Sequence, residues 1–353
     1  MKERNFNQGL VLANPVLVEL TRGETVESVH RGAVAIANPQ GELILSLGDV
    51  EAEVYPRSAL KPIQAIPLLE SGAADSFGLN DEHVALACAS HSGELMHTTR
   101  VAAWLNSIGV AESDLACGPQ AVRYEPLWRE MIRRGEQPGR VHNNCSGKHA
   151  GFLTVARHWH ATISGYEQHD HPVQMAVALT LGDLAGIATP LPWGVDGCSA
   201  PNYALPLAAF ARALARIADA RSLREPRSLA AKTILAAMMA HPDLVAGTGR
   251  TCTILMRGAR APLAVKAGAE GVYAAMIPAH GLGIAIKADD GAGRAAETAI
   301  AAVLDGLDLL GHDQGSRGVF RAPILNTRDS IVGERRAAAV FTDCVRHAFR
   351  QSP

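Results

Sequence analysis

Strand-like segments at both ends of the chain enclose a long helical middle, and this order limits the folds that the 353 residues can adopt. Between about residues 58 and 243, alanine-rich and leucine-rich segments have the spacing of helices. Two more helices are predicted at residues 294–310 and 335–351. Short apolar runs bounded by turn residues predict strands at residues 16–20, 32–37, 43–47, 251–256, 263–266, 271–277 and 283–287.

This order predicts an α/β protein, more narrowly of the α+β type, in which one antiparallel sheet is built from both chain ends and flanked by helices. We expect a discontinuous sheet lobe made of residues 1–57 and 245–353, with residues 58–244 inserted as a mainly helical lobe. The active site is expected at the seam between the two lobes. A hydrophobic content of 48% is sufficient for a core of this size.

Charge and composition exclude several kinds of partner. The 33 basic and 35 acidic residues give a net charge of -2, and no stripe of lysine and arginine is suited to phosphate groups. We therefore expect neither nucleic acid nor a membrane surface as a partner. The first residues lack a signal-peptide core, and no apolar run is long enough to span a bilayer. Six widely spaced cysteines fit reduced thiols, so a cytoplasmic protein is expected.

Ser58 and Lys61 stand three residues apart, where the strand patterns give way to the helical middle. On one helix face the amine can take the hydroxyl proton and make Ser58 a nucleophile. The lysine must then be neutral, a state that burial and a second nearby cation favour. Lys266 is the expected second cation, and the small residue and glycine after it would let a substrate lie against the strand. Pro67 disagrees with a continuous helix from Ser58, because it should kink or shorten that helix.

A third element is the segment of small residues at 87–94, in which Ser90 and Ser92 flank His91. Alone, each element is more typical of a non-functional feature, namely a solvated helix face for Ser58 and Lys61, an edge strand for Lys266 and a polar turn for residues 87–94. In order, S-x-x-K, a second serine and K-x-G are the motifs of serine β-lactamases and penicillin-binding proteins. The usual S-D-N and K-T-G are replaced by Ser-His-Ser and Lys-Ala-Gly, which argues against a β-lactam substrate.

Five segments in order resemble the rhizobial-type, or class 3, L-asparaginases over nearly the whole chain from about residue 10. The resemblance implies a β-lactamase-like fold and an amidohydrolase that converts L-asparagine to L-aspartate and ammonia, usually as a homodimer. The segments are RSALKPIQ at 57–64, ACASHSGE at 87–94, HNNCSGKH at 142–149, DGCSAP at 196–201 and KAGAEG at 266–271.

Two serine–lysine pairs are implied by the resemblance, Ser58 with Lys61 and Ser90 with Lys266. We expect Lys61, kept neutral by burial and by the charge of Lys266, to take the Ser58 proton during attack on the carboxamide. Ser90 would bridge the lysines and relay a proton to the departing ammonia. The start of the helix and an N–H at the strand edge would stabilise the oxyanion.

A metal site, typically zinc, is also implied by the resemblance, with Cys145, Lys148 and Cys198 as ligands. Two thiolates, one amine and one open position would complete a tetrahedron. Without the resemblance, Cys145 and Cys198 would be interpreted as buried structural cysteines, because no C-x-x-C pair is present.

Recognition of a free amino acid needs partners for its carboxylate and its ammonium group. Arg57 is the expected partner of the carboxylate, and Glu270 or Asp196 of the ammonium group. Asp196 and His149 are expected near the metal site.

Three alternatives stay open from the sequence. The first is a serine amidase that acts on glutamine or another small amide, because one methylene changes discrimination by only about 1–3 kcal/mol. The second is a non-catalytic zinc-binding or amino-acid-binding protein of the same fold. The third is a zinc hydrolase in which metal-bound water attacks the substrate.

Overall fold

The computed structural model describes residues 13–350, which contain twelve strands and fifteen α-helices. The strands are β1 (Val16–Arg22), β2 (Thr25–Ala37), β3 (Leu43–Leu47), β4 (Glu53–Val54), β5 (Trp193–Val195), β6 (Pro201–Tyr203), β7 (Leu205–Pro206), β8 (Ala264–Ala267), β9 (Val272–Ile277), β10 (Leu282–Ala288), β11 (Arg321–Leu325) and β12 (Ile331–Ala337).

The α-helices are mostly located between β4 and β8. They are α1 (Lys61–Gln64), α2 (Ile66–Glu70), α3 (Ala73–Ser76), α4 (Asp81–Ala87), α5 (Leu95–Ser107), α6 (Glu125–Arg134), α7 (Ser146–His158), α8 (Pro172–Ala185), α9 (Leu207–Asp219), α10 (Arg227–Ala240), α11 (Pro242–Val245), α12 (Thr251–Gly258), α13 (Gly293–Gly306), α14 (Gln314–Phe320) and α15 (Ala339–Arg350). Short 3-10 turns are formed by Arg57–Leu60, Glu112–Asp114 and Arg140–His142. None of the helices within residues 13–350 has the length and apolar character needed to cross a membrane.

One eight-stranded antiparallel sheet joins the two ends of the chain. Its order is β11-β12-β1-β2-β10-β9-β8, and β3 pairs with the end of β2. The long strand β2 connects the two halves, because residues 25–31 pair with β1 and residues 32–37 pair with β10. The predicted α+β architecture, with an antiparallel sheet built from both chain ends, is therefore confirmed.

Alternating side chains of β2 divide the core into two clusters. Ala33, Ala35 and Ala37 face one cluster, whereas Val34 and Ile36 face the other, as expected from the two-residue period of a strand. The alanine face is covered by α9, which contacts β2, β9 and β10, and the opposite face is covered by α13.

The core on the alanine side runs without a break from the sheet into the helices between α1 and α11. The small side chains on this face allow α9 to approach closely, and a Cβ at position 283 of β10 would lie 2.2 Å from the Ala211 carbonyl oxygen. The division into lobes at residues 57 and 245 stays a prediction.

Two of the predicted elements were wrong. Residues 251–256 form the start of helix α12 instead of a strand, although their β-branched composition favours a strand. Cys252 and Leu255, one turn apart, are both buried, so packing of one helix face overrides the local propensity. The helix predicted at 335–351 starts only at Ala339, because the preceding residues belong to β12, which pairs with β1 and β11.

The predicted helix at Ser58 consists of three short pieces, namely the 3-10 turn Arg57–Leu60 and then α1 and α2. Pro62 and Pro67 each lie in the first turn of their helix, where the missing N–H removes no helical hydrogen bond. This arrangement explains how Pro67 is accommodated. A four-residue turn has no substantial helix dipole, so the stabilisation that we expected from the start of a helix is reduced to single N–H groups.

Candidate active site

A cavity of about 340 Å³ opens where the 3-10 turn at Ser58, the loop after α4 and the end of β8 meet. Its wall is completed by the loop before α7 and by the turn between β5 and β6. Six of the residues that were predicted for the site line this cavity, and they are Arg57, Ser58, Ser90, Cys145, Asp196 and Cys198.

The Ser90 hydroxyl lies between two buried lysines. Nζ of Lys266 is 2.7 Å and Nζ of Lys61 is 3.1 Å from Ser90 Oγ, and each lysine is only 1% exposed. Lys61 comes from α1 and Lys266 from β8, and the Ser90 N–H donates to the Val245 carbonyl oxygen. Three segments that are far apart in the sequence therefore meet at one hydroxyl group.

Lys61 is surrounded by three acceptors. Its Nζ donates to the Ala89 carbonyl oxygen, to the Asn144 carbonyl oxygen at 3.1 Å and to Ser90 Oγ. This number matches the three N–H bonds of an ammonium group, and the neighbouring Cys145 sulfur also favours the charged form of Lys61. Burial nevertheless lowers the pKa of Lys61. The hydrogen bonds favour Lys61 as a charged group that holds Ser90, and not as the group that receives a proton.

Lys266 has a different environment. Its Nζ lies 2.7 Å from Ser90 Oγ and donates to the Ala267 carbonyl oxygen at 2.8 Å, so a neutral amine can donate to Ala267 and accept a hydrogen bond from the Ser90 hydroxyl. Burial, followed by the charge of Lys61, lowers the pKa of Lys266 to about 7. We had expected the charge of Lys266 to keep Lys61 neutral, and the structure indicates the reverse influence.

Ser58 lines the cavity, but within residues 13–350 its hydroxyl has no hydrogen bond, and the expected bond to Lys61 is not formed. A 3-10 turn still places residues three apart on one face, but the Lys61 amine is directed to Ala89, Ser90 and Asn144 instead of Ser58. The Ser58 N–H and the N–H of Ala269 are also without acceptors in this part of the chain. Arg57, directly before Ser58, has a left-handed backbone with φ of 53°.

Gly268 explains part of the K-x-G motif. A Cβ at this position would lie 2.5 Å from the Pro56 carbonyl oxygen and 3.3 Å from the Ala59 nitrogen. The glycine therefore lets the end of β8 approach the turn that carries Ser58. We had assigned this small residue to contact with a substrate, and the structure adds contact with the protein backbone as a reason.

Two cysteines 53 residues apart come together in the wall of the cavity. Sγ of Cys145, Sγ of Cys198 and a carboxylate oxygen of Asp196 all lie within 4.8 Å of one another. Lys148, in the first turn of α7, donates from Nζ to Cys198 Sγ at 3.0 Å. The turn between β5 and β6 supplies Asp196 and Cys198, and its φ of 73° at Ser199 makes the turn tight.

The charges of this cluster are strongly coupled. The hydrogen bond between the two cysteines raises the pKa of Cys145 to about 12 and lowers that of Cys198 to about 5. Burial opposes the charged form of Lys148, but the two cysteine sulfurs raise its pKa above the ordinary value. Burial also opposes ionisation of Asp196, yet Lys148 and a hydrogen bond from Arg57 lower the pKa of Asp196 to about 2. Thiolate, carboxylate and amine donors at this spacing fit zinc.

The remaining predicted residues differ in their access to the cavity. Arg57 donates from Nε to Asp196 Oδ1 at 2.5 Å, so each of these two side chains already has an ionic partner. His149 is fully buried, with Nδ1 2.6 Å from the Tyr166 hydroxyl, and does not line the cavity. Glu270 is exposed and also lies outside the cavity wall.

Several residues of the wall were missed from the sequence. Asn143 and Asn144 stood in a quoted segment without a role, whereas Gln120, Arg123 and Arg250 lie in loops with no periodic pattern. Nothing in their local sequence distinguishes them from other polar loop residues. Their position becomes clear only when packing brings the loops together.

The fold and the site together have the features of a serine hydrolase, because an antiparallel sheet with flanking helices presents a serine held by lysines. Residues 18–337 match the model of the family described as L-asparaginase II. The chain therefore belongs to the L-asparaginase II family, whose members are hydrolases that act on amides. The resemblance to L-asparaginases that the motifs indicated is confirmed. No curated protein gives a significant match.

Among solved structures, the chain is similar to Mglu in its native form, with a TM-score of 0.45, 14% identity and coverage of 80% of this chain and 66% of that chain. The form of Mglu with tris and glutamate gives a TM-score of 0.44, 14% identity and coverage of 78% and 59%. A putative β-lactamase from Bacteroides dorei DSM 17855 gives 0.39, 13% identity and coverage of 73% and 84%. This chain thus spans less than two thirds of the Mglu chains. These TM-scores are low, and family membership rests on the sequence match.

Proposed function

We propose that the protein is an L-asparaginase that hydrolyses the side-chain amide of L-asparagine to L-aspartate and ammonia. The observation that supports this most is the Ser90 hydroxyl between two buried lysines, in the wall of a cavity of about 340 Å³. A cavity of this volume suits a small amino acid and not a polymer. Membership in the L-asparaginase II family supports the choice of substrate.

In the proposed mechanism, Ser58 Oγ attacks the carboxamide carbon of asparagine. Above its pKa of about 7, Lys266 is mostly neutral, and it takes the Ser90 proton while Ser90 takes the proton of Ser58. Lys61 stays protonated and holds Ser90 by its hydrogen bond. Ser58 is assigned the attack because its hydroxyl lines the cavity with no partner in the described chain, whereas Ser90 is bonded to both lysines.

Collapse of the tetrahedral intermediate breaks the carbon–nitrogen bond, and the proton held by Lys266 returns through Ser90 to the leaving ammonia. Water then attacks the acyl ester, gives its proton to the same base, and releases aspartate as Ser58 regains its hydrogen. The N–H groups of Ser58 and Ala269, which have no acceptor among residues 13–350, would donate to the oxyanion in both steps.

We propose that Cys145, Lys148 and Cys198 hold zinc, with Asp196 next to them. A bound zinc ion would supply positive charge that orients the substrate. The expected result is about one zinc per chain in the purified protein, and a large loss of zinc in the Cys198→Ser variant. Metal content measured by plasma mass spectrometry checks this. Cys344→Ser, outside the cluster, is the matched control, and equal zinc content in both variants would remove Cys198 from the site.

The activity itself is tested by ammonia release from asparagine and glutamine. We expect kcat/KM for asparagine to exceed that for glutamine by about 10-fold to 200-fold, because one methylene supports only that much discrimination. The reverse ratio would identify a glutamine amidase. No ammonia from any small amide, together with binding of aspartate by calorimetry, would identify a binding protein instead.

We propose in addition that the protein acts in the cytoplasm and as a homodimer. The free thiols of all six cysteines support a reducing compartment. The homodimer follows from the resemblance to class 3 L-asparaginases, and the molar mass from light scattering of the purified protein distinguishes a dimer from a monomer.

A further inference from the structure

Two arginines in the cavity wall, Arg123 and Arg250, have no partner for their guanidinium groups within residues 13–350. The third arginine of the wall, Arg57, is paired with Asp196, which is the only carboxylate among the described residues of the wall. Two guanidinium charges in the wall are therefore not balanced by a neighbouring carboxylate. An anion that enters the cavity finds donors that no protein group uses.

The two arginines influence each other. Partial loss of solvation lowers the pKa of Arg123, and the nearby charge of Arg250 lowers this pKa further. Both residues line the cavity, where Arg123 is exposed and Arg250 is half-buried. Two like charges that are held close together repel each other, and a bound carboxylate would remove this repulsion.

Both arginines are fixed to the segment that carries Ser90. The backbone N–H of Arg123 donates to the Ser92 carbonyl oxygen at 2.9 Å. The same segment is bonded to the loop that ends at Arg250. The Ser90 N–H donates to the Val245 carbonyl oxygen, and the Ser92 hydroxyl donates to the Ala246 carbonyl oxygen at 3.1 Å. The distance from the serine to each arginine is therefore set by one short stretch of backbone.

Glu94 completes this connection. Its buried carboxylate accepts hydrogen bonds from the Thr248 N–H at 2.9 Å and from the Thr248 hydroxyl at 2.6 Å. Gly247 has a φ of +123°, and a Cβ there would lie 2.5 Å from Ser92 Oγ and 2.6 Å from a Glu94 carboxylate oxygen. The loop thus packs directly on Glu94, two residues before Arg250.

We propose that Arg123 and Arg250 bind the α-carboxylate of the amino-acid substrate, and that Glu94 is a positioning residue that holds the loop of Arg250. The proposal rests on the proposed asparaginase function and adds its carboxylate subsite. It replaces the expectation that Arg57 binds this carboxylate, since Arg57 is paired with Asp196. Arginine suits this role because its planar group forms two parallel hydrogen bonds to a carboxylate.

The test compares L-asparagine with β-alaninamide, which is asparagine without its α-carboxylate. Arg123→Gln and Arg250→Gln should each lower kcat/KM for asparagine by about 10-fold to 100-fold, mainly through a higher KM, because a charge-assisted pair is lost. Turnover of β-alaninamide should change by less than about twofold. Arg129→Gln, an exposed arginine on the neighbouring helix α6, is the matched control and should behave as the wild type.

For Glu94→Gln we expect a smaller rise in KM for asparagine with kcat retained, and unchanged turnover of β-alaninamide. A general structural role would instead lower kcat for both substrates. Equal losses on both substrates in the arginine variants, or an unchanged KM for asparagine, would overturn the carboxylate subsite.

Calorimetric titration with L-aspartate separates this proposal from the proposed function. If the wild type releases no ammonia from asparagine, the asparaginase proposal fails. Weaker aspartate binding in the two arginine variants would then still support the subsite, and wild-type affinity in both variants would reject it.

Discussion

Replacing Ser58 by alanine should lower kcat for asparagine by about 10⁴-fold or more, because the proposed acyl-enzyme cannot form without its oxygen. KM should change little, since the hydroxyl is not assigned to substrate binding. The midpoint of thermal unfolding should also stay close to that of the wild type, because within residues 13–350 the hydroxyl has no hydrogen bond to lose. Steady-state ammonia release and thermal unfolding measure these three quantities.

Ser28→Ala is a suitable control, because Ser28 is exposed on strand β2 and far from the cavity wall. Covalent trapping with an electrophilic asparagine analogue gives the second measurement. A mass increase on the peptide with Ser58 is expected. Unchanged activity of Ser58→Ala, or a label on Ser90 instead, would reverse the roles of the two serines.

Replacing Lys266 by methionine should lower kcat by about 10²-fold to 10⁴-fold, which is the usual contribution of a general base. The same lysine should determine the pH dependence of the wild type. Burial and the charge of Lys61 lower the pKa of Lys266 to about 7, so the neutral, active form is present above that pH and is lost below it. We therefore expect kcat/KM to rise with pH with a midpoint near 7 and to level off at higher pH. A pH profile of kcat/KM checks this sign and midpoint.

Lys287→Met provides the matched control, because Lys287 is a half-buried lysine of the same sheet, on strand β10, and does not line the cavity. Its pH profile should equal that of the wild type. In Lys266→Met the rising limb near pH 7 should disappear from the residual activity. A limb that persists at the same pH would assign the base to another group.

Much of the fold could be predicted from local patterns. The two-residue alternation along β2 and the turn residues after it identify strands at the start of the chain, and the return of such patterns late in the chain predicts a shared sheet. Residues 251–256 were predicted as a strand because β-branched residues favour strands. They form part of helix α12 because tertiary packing buries one face of that helix.

Part of the site could be predicted from motifs. The resemblance to class 3 L-asparaginases implied Ser90 and Lys266 as a pair, and in the structure Ser90 Oγ lies 2.7 Å from Lys266 Nζ. The hydrogen-bond partners of Lys61 were not predictable, because two of its three acceptors are backbone carbonyls from other segments. For the same reason Arg123 and Arg250 were missed, since only loop packing brings them into one wall.

Strand β2, which joins the two halves of the sheet, affects when the active site can form during translation. Ser58 and Ser90 are translated early, but Lys266 belongs to β8, which reaches β2 only through β9 and β10. A nascent chain that ends before residue 264 therefore lacks the amine partner of Ser90, even when the helical middle is complete. Pairing of strands so distant along the chain is a slow step in folding. Hydrolytic activity should thus appear only after strand β8 has left the ribosome.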